Sequence, residues 1–158
     1  MNNELRELYQ DIILDHGRHP RNFGELAGAT HHAHGHNPLC GDTVTVFLIM
    51  GSDGRVQRVT FMGHGCAISM ASASMMTEVA VGKTEAEVEA IFGEFQNRAK
   101  GDLTHAAPKG FEDEIERLDA LTGVSAYPSR VKCAVLPWHA MRSALADGAE
   151  VTSDGGKE

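Results

Sequence analysis

The sequence has no apolar run near the roughly 20 residues that a membrane-spanning helix needs. Residues 1–9 also lack the apolar stretch of a secretory signal, so we expect a cytoplasmic protein that does not enter a membrane. Basic residues number 14 against 22 acidic ones, which gives a formal net charge of −8. Because phosphate backbones are bound by basic surfaces, this balance argues against nucleic acid as a partner.

Cysteine is scarce and odd in number, with three residues in the chain. An odd count excludes a framework in which every cysteine is disulfide-bonded. In a reducing cytoplasm the thiols stay free, which makes them candidate metal ligands or nucleophiles. The alternative is three small buried hydrophobic residues, since free cysteine is commonly buried. A His-Glu-x-x-His motif is also absent, which argues against hydrolytic zinc chemistry.

A length of 158 residues with 42% hydrophobic residues fits one globular domain, which we assign to residues 1–147. The small, polar, glycine-rich segment 148–158 predicts a disordered tail. Two β-branched and apolar stretches flank Asp53-Gly54, which predicts a β-hairpin over residues 43–62. An extended segment around residues 30–36 predicts a preceding strand.

The remaining segments carry helix signals. Helical spacing, capping residues and glycine stops predict helices over residues 3–16, 66–81, a short stretch from 84, 111–121 and 133–145. The mixed segment 93–113 is expected to be irregular. Strands that precede most of the helices indicate an α+β fold, in which a small antiparallel sheet carries helices on one face.

Four residues form a candidate metal centre. Cys40 and Asp42 flank Gly41, whose freedom lets the loop curl so that both side chains face one ion. Cys66 is placed at the start of a predicted helix, and Cys133 is expected to precede one as well. Helix N-termini favour thiolate over thiol, and a bound cation would remove the repulsion between a thiolate and the neighbouring carboxylate.

Three thiolates and one carboxylate match the four ligands of tetrahedral zinc, but cysteines also hold iron–sulfur clusters. The gaps between the cysteines, 26 and 67 residues, are not those of zinc fingers or ribbons, so spacing alone leaves both open. Arg130 and Lys132 lie beside Cys133, and their charges would offset part of the site's negative charge. His64 is a candidate for orienting Cys66, with an ordinary loop residue as the alternative.

Four ordered motifs carry a family resemblance. They are ILDH with HPRNFG at 13–24, NPLCGD at 37–42, GCAISMASASMM at 65–76, and RVKCA with WHA at 130–140. The set resembles the NifU-like, IscU-type iron–sulfur cluster assembly proteins. Lys132 stands where IscU proteins carry histidine, and the stretch between Cys66 and Cys133 is longer. Both features resemble the SufU branch.

The resemblance implies a zinc site made of Cys40, Asp42, Cys66 and Cys133, with Cys40 as the acceptor of sulfane sulfur. It implies a SufS-type cysteine desulfurase as the partner, with other cluster-assembly proteins as further candidates, and a zinc-dependent sulfurtransferase as the function. The first alternative is a scaffold that builds and passes on a [2Fe–2S] cluster on the same cysteines. The second is a non-catalytic binding module stabilised by zinc.

Histidines are concentrated just before Cys40, at positions 31, 32, 34 and 36. His32, His34 and His36 would share one face of a strand because side chains alternate there. We interpret this row as a solvated or edge face, because the family resemblance places no ligand in it.

Overall fold

The structure, a computed structural model, describes residues 3–39, 41–146 and 151–152. Cys40 therefore lies outside the described residues. The elements follow one another as α1 (Asn3–Arg18), β1 (His31–His36), β2 (Thr43–Met50), β3 (Val56–His64), α2 (Ala67–Ala80), α3 (Glu85–Ala99), α4 (Glu112–Leu118), a 3₁₀ segment (Asp119–Ala126), α5 (Pro128–Ala146) and β4 (Val151–Thr152). Within the described part of the chain, no helix has the length and apolar character needed to cross a membrane.

The sheet has the strand order β3-β2-β1-β4, and its first three strands are antiparallel. The predicted hairpin is β2 and β3, which pair from Thr43 opposite His64 to a bulge near Met50. Its turn closes through a hydrogen bond of 2.8 Å from the Gly51 amide to the Arg55 carbonyl, and Gly54 takes the left-handed conformation with a φ of 76°. The hairpin and the preceding strand are confirmed.

The C-terminal segment departs from its prediction at two residues. Val151 and Thr152 form β4, which pairs in parallel with Gly35 and His36 of β1. This backbone pairing covers the outer edge of β1. It was not predicted, because two residues are too few for a strand pattern. The other positions of segment 148–158 lie outside the described residues.

Helices cover one face of the sheet, as predicted for an α+β fold. The inward side chains of the three long strands are almost fully buried: Ala33, Val44, Val46, Leu48, Val59 and Phe61. They pack in one hydrophobic core with residues of α2 and α5. The opposite face carries the partly exposed side chains of the same strands, so among the described residues it is the more open face of the sheet.

Two helix predictions are wrong at their boundaries. α3 continues to Ala99, although irregular structure was expected from residue 93. Its N-terminus has the predicted capping box between Thr84 and Glu87, and burial of Ile91 and Phe95 carries the helix through Gly93. Burying each of these side chains stabilises the helix by about 1.5–3 kcal/mol, which exceeds the roughly 1 kcal/mol cost of a helical glycine.

The second error concerns α5, which begins at Pro128 rather than at Cys133. Proline suits the first position of a helix because its φ is already helical and its missing N–H would be unpaired there. Pro137 consequently lies in the helix interior, where it has no N–H to donate to the Cys133 carbonyl. Near this proline, the Ser72 hydroxyl of α2 donates a hydrogen bond of 2.5 Å to the Ala134 carbonyl, which connects α2 to α5.

Candidate metal centre

Three of the four predicted ligands meet in the folded chain. One ligand atom each from Asp42, Cys66 and Cys133 lies within 4.8 Å of the other two. These residues come from the loop before β2, the start of α2 and the interior of α5, so the fold itself assembles them. Donor atoms bound to a single zinc ion at about 2.0–2.3 Å are roughly 3.3–3.8 Å apart. The observed grouping therefore fits one small cation.

Asp42 connects the loop before β2 to the start of α2. Its side chain is buried, and its Oδ1 accepts a hydrogen bond of 3.0 Å from the Cys66 amide. Its Oδ2 lies 3.7 Å from Cys66 Sγ. A buried carboxylate beside thiol groups is costly unless a positive charge or hydrogen bonds compensate it. Asp42 thus holds the Cys66 backbone with one oxygen and offers the other to the site.

Cys66 occupies the N-cap position of α2, as predicted, with an extended backbone at φ −70° and ψ 166°. The thiol is half-buried and makes no capping hydrogen bond to the helix backbone, so it points towards the other ligands. Hydrogen bonding with Cys133 is the largest cause that lowers the pKa of the Cys66 thiol, with Ser69 adding to it. Burial and the Asp42 charge oppose this shift. The thiolate form is consequently favoured.

Cys133 does not precede a helix, which corrects the prediction. It lies inside α5, five residues after the helix begins, and is only 1% exposed. Its Sγ is 3.6 Å from the Ser129 carbonyl and 3.8 Å from Nδ2 of Asn37. A position inside the helix receives no help from free N–H groups at the N-terminus, so the argument that a helix end activates this thiol is lost.

A family model described as the NifU-like N terminal domain matches residues 8–134. The chain belongs to this family. The zinc-dependent sulfurtransferase SufU of Bacillus subtilis is 37% identical over 147 residues, which cover 92% of this chain and 94% of that protein. The iron–sulfur cluster assembly scaffold protein IscU of Streptococcus pyogenes is 32% identical over 142 residues, or 90% and 85% of the two chains.

Solved structures agree with this family and confirm the fold. A scaffold protein described for the SUF system of Fervidobacterium islandicum has a TM-score of 0.77 and 31% identity, covering 89% of this chain and 98% of that one. The N-terminal part of a NifU-like protein from Brucella abortus has a TM-score of 0.76 and 28% identity, covering 89% and 94%. The resemblance drawn from the four sequence motifs is thereby confirmed.

Asn37 of this NifU-like domain also contacts the metal centre, although it was not among the predicted site residues. Its side chain is 1% exposed, donates towards Cys133 Sγ and accepts a hydrogen bond of 3.1 Å from the Leu39 amide. Its backbone amide donates to the Asp42 carbonyl, and its carbonyl accepts from the Gly41 amide. Asn37 therefore braces both ends of the ligand-bearing loop. The Asn-Pro pair that begins the loop motif was the available signal.

The residues predicted to support the site fall in different places. Gly41 has a φ of 74°, the curled conformation that was expected of it. His64 is exposed at the last position of β3, opposite Thr43. Thiolate charge on Cys66 is the largest cause that raises the pKa of Arg130, so this guanidinium faces the site. Lys132 lines a separate cavity of about 350 Å³ between α3 and α5.

Proposed function

We propose that this NifU-like domain is a zinc-dependent sulfur-transfer protein of cytoplasmic iron–sulfur cluster assembly. It accepts sulfane sulfur on Cys40 from a SufS-type cysteine desulfurase. The observation that carries the proposal is the grouping of Asp42, Cys66 and Cys133 within 4.8 Å. The 37% identity with a zinc-dependent sulfurtransferase, over nearly the full length of both chains, supports this choice of chemistry.

The donor set suits zinc. Cys66, Cys133 and Asp42, together with Cys40 from the same loop, would supply three sulfurs and one oxygen, the number of ligands in a tetrahedral zinc site. Bound zinc would keep the thiols deprotonated at neutral pH. With four protein ligands no position is left for a water molecule, so the donor set does not favour hydrolysis.

Two features of the chain prepare the thiols for sulfur chemistry. Hydrogen bonding within the group favours the Cys66 thiolate. The Arg130 guanidinium, exposed at the start of α5, supplies positive charge at the same place. A positive charge beside thiolates stabilises them. The chain's own residues thus favour attack by a thiolate, which is the reactive form.

The transfer step is a thiol–disulfide type of exchange. The Cys40 thiolate attacks the outer sulfur of the desulfurase persulfide, so a new S–S bond forms on Cys40 while the S–S bond of the desulfurase breaks. The desulfurase cysteine leaves as a thiolate, and the outer sulfur keeps its proton. No electrons are gained or lost overall. The product is a persulfide on Cys40, ready to be passed on.

The test is the turnover of a SufS-type cysteine desulfurase, measured as alanine released from cysteine. It is run alone, with the intact chain, and with Cys40→Ala. We expect strong stimulation by the intact chain and its loss with Cys40→Ala. Intact-mass analysis after a single turnover should show one added sulfur atom that is absent from Cys40→Ala.

The control variant is Leu103→Ala, an exposed loop residue that should stimulate like the intact chain. Circular dichroism must show that Cys40→Ala stays folded. Equal stimulation by Cys40→Ala and the intact chain would refute sulfur acceptance at Cys40. Unfolding of Cys40→Ala, with no stimulation by the intact chain, would favour the zinc-stabilised binding module instead.

A scaffold for a [2Fe–2S] cluster is the second candidate function. It is supported by the names of relatives such as the Streptococcus pyogenes protein, which is described as an iron–sulfur cluster assembly scaffold. The same cysteines would ligate the iron. Anaerobic reconstitution with iron and sulfide separates the two functions. A stable cluster that transfers to an apo-ferredoxin, together with no desulfurase stimulation, would favour the scaffold.

A further inference from the structure

The open face of the sheet carries a row of histidines that the proposed function does not use. His32, His34 and His36 alternate along β1, while the intervening Ala33 and Gly35 are buried against the core. The register confirms that the three imidazoles stand on the outer face, opposite Phe47, Thr45 and Thr43 of β2. Four of the nine histidines of the chain fall within β1, a concentration that core packing does not require.

Spacing on a strand makes two of these imidazoles a possible chelate. Residues two positions apart on one strand face are about 6.6–6.8 Å apart at their Cα atoms. Nitrogens bound to one zinc ion need a separation of roughly 3.3 Å, which side chains of this length reach by leaning towards each other. His34 and His36 are both partly exposed on the outer face of the sheet.

Thr45 prepares one of the two rings. His34 Nδ1 lies 2.9 Å from the Thr45 hydroxyl on the neighbouring strand. When Nδ1 carries the proton and donates to this oxygen, Nε2 has a lone pair that can bind a metal ion. Metal-binding histidines generally hold their second nitrogen in such a hydrogen bond, which fixes both tautomer and ring orientation.

His32 is less suited to the site. Its ring stacks on Phe47, with centroids 6.3 Å apart and an interplanar angle of 26°, and it is exposed. His64 stands in the same cross-strand row as His36 and Thr43, but two strand spacings of about 4.8 Å separate it from β1. The stacking of His32 and the distance of His64 favour a chelate of His34 and His36, with water completing the coordination.

We propose that His34 and His36 form a second metal site, on the open face of the sheet, for a divalent cation that prefers imidazole nitrogen. Zn²⁺ and Ni²⁺ are such cations, whereas Mg²⁺ and Ca²⁺ prefer oxygen. With two protein ligands it differs from the thiol centre, where Asp42, Cys66 and Cys133 bring three ligand atoms within 4.8 Å of one another. The histidine pair would therefore bind more weakly and exchange its ion more readily.

The test is isothermal titration of the full chain, first loaded with one equivalent of zinc and then titrated with Zn²⁺ or Ni²⁺. We expect a second equivalent with a dissociation constant in the micromolar range. His34→Gln and His36→Gln should each weaken it at least tenfold, and His32→Gln should change it less than threefold. The control is His105→Gln, an exposed histidine on a loop, which should leave the second equivalent unchanged.

A second measurement keeps the result clear if a variant folds poorly. In the unmodified chain, the imidazole ¹⁵N signals of His34 and His36 should shift together as the second equivalent is added. Thr45→Val should weaken binding several-fold while leaving the number of sites unchanged, because it removes only the hydrogen bond that orients His34. Absence of a second equivalent below millimolar concentration would overturn the proposal. Binding that survives both His34→Gln and His36→Gln would overturn it as well.

Discussion

The two helices that supply thiols to the candidate metal centre do so in different ways. Cys66 caps the start of α2, half-buried, with its backbone amide bonded to Asp42. Cys133 is buried inside α5 and has no helix end near it. One ligand is thus positioned by a turn and its hydrogen bonds, and the other by the packing of a whole helix.

The contacts that hold α2 and α5 in place differ in the same way. Polar contacts join α2 to α1 and the turn after it: the Ser74 hydroxyl meets His16 Nδ1 at 2.7 Å and the Arg21 amide at 2.8 Å. α5 is held mainly by its apolar core, where Trp138 packs on Phe92 and Phe95 at centroid distances of 5.8 and 5.6 Å. Changes in polar residues should therefore affect Cys66 more than Cys133.

The largest expected effect is at Asp42, the residue that serves Cys66 in two ways. Asp42→Asn keeps an oxygen for the Cys66 amide but removes the charged ligand, so zinc affinity should fall at least about a hundredfold, or ~2.7 kcal/mol. Asp42→Ala should add a loss of about 1–3 kcal/mol in the free energy of unfolding, because the Cys66 amide loses its partner. Competition with a zinc chelator and urea unfolding measure the two quantities.

Equal unfolding free energies for Asp42→Asn and Asp42→Ala would show that the amide contact does not hold Cys66. The turn would then contribute little to this ligand, and the proposed contrast between the helices would fail. The exposed acidic residue Asp53 provides the control: Asp53→Asn should leave zinc affinity unchanged.

Gly65→Ala should produce the next largest effect, because it changes the turn that positions Cys66. A Cβ at this position would lie 2.5 Å from Asp42 Oδ1 and 2.6 Å from the Ser69 hydroxyl. Because the Asp42 side chain is buried, it cannot swing away freely. We expect a tenfold to hundredfold loss of zinc affinity and a loss of about 1–3 kcal/mol in the free energy of unfolding.

Gly93→Ala is the matched control for this change, because a Cβ there meets nothing within 4 Å and the residue lies inside α3. It should raise the free energy of unfolding by about 0.5–1 kcal/mol without altering zinc affinity. Zinc affinity in Gly65→Ala equal to that of Gly93→Ala would mean that the turn before α2 is more tolerant than its packing indicates.

Asn37→Ala tests how far a polar contact helps to position Cys133. It removes the side-chain contact to Cys133 Sγ and the hydrogen bond from the Leu39 amide, while the backbone bonds of the loop remain. We expect a loss of about 1–2 kcal/mol in the free energy of unfolding and roughly tenfold weaker zinc binding. Cobalt substitution is a suitable measurement, since its thiolate absorption reports on the ligands directly. Unchanged absorption and affinity would show that helix packing alone positions Cys133.

The same contrast explains which features could be predicted from the sequence. The hairpin and the start of α2 depend on short-range signals, such as Asp53-Gly54 and the glycine before Cys66, and these were read correctly. The position of Cys133 in the interior of α5 was predicted wrongly, because Pro137 was expected to lie near the start of a helix. Tertiary packing overrides that rule when surrounding contacts compensate for the lost hydrogen bond.

Long-range contacts account for the other differences. Asn37 and Cys133 are 96 positions apart, so no local pattern connects them. The same holds for the short pairing between β4 and β1, which places residues from the end of the chain beside its first strand. The grouping of Asp42, Cys66 and Cys133 was predicted from their ligand chemistry and from the family resemblance. Their spacing in the sequence would not have predicted it. Cys40, the proposed sulfur acceptor, stays a prediction because it lies outside the described residues.

The smallest expected effect is the pH dependence of the contact that supports α2. Burial is the main cause that lowers the pKa of His16 below its ordinary value of 6.5, and the Arg21 charge adds to it. Glu78, with an oxygen 3.9 Å from Nε2, and Asp15 act in the opposite direction. Because the unfolded chain binds the proton more readily, the stability contributed by neutral His16 is complete above about pH 6.5 and is lost as the pH falls through the lower, folded-state pKa.

Urea unfolding at several values between pH 7.5 and 5 should therefore show a smaller loss of stability for His16→Gln than for the unmodified chain, since glutamine keeps a polar contact to Ser74 without titrating. The difference between the two chains is the informative quantity, because they differ at this residue alone. Parallel curves would mean that protonated His16 is tolerated between α1 and α2. The start of α2, and with it Cys66, would then depend on the Arg21 amide and the Asp42 carboxylate rather than on this imidazole.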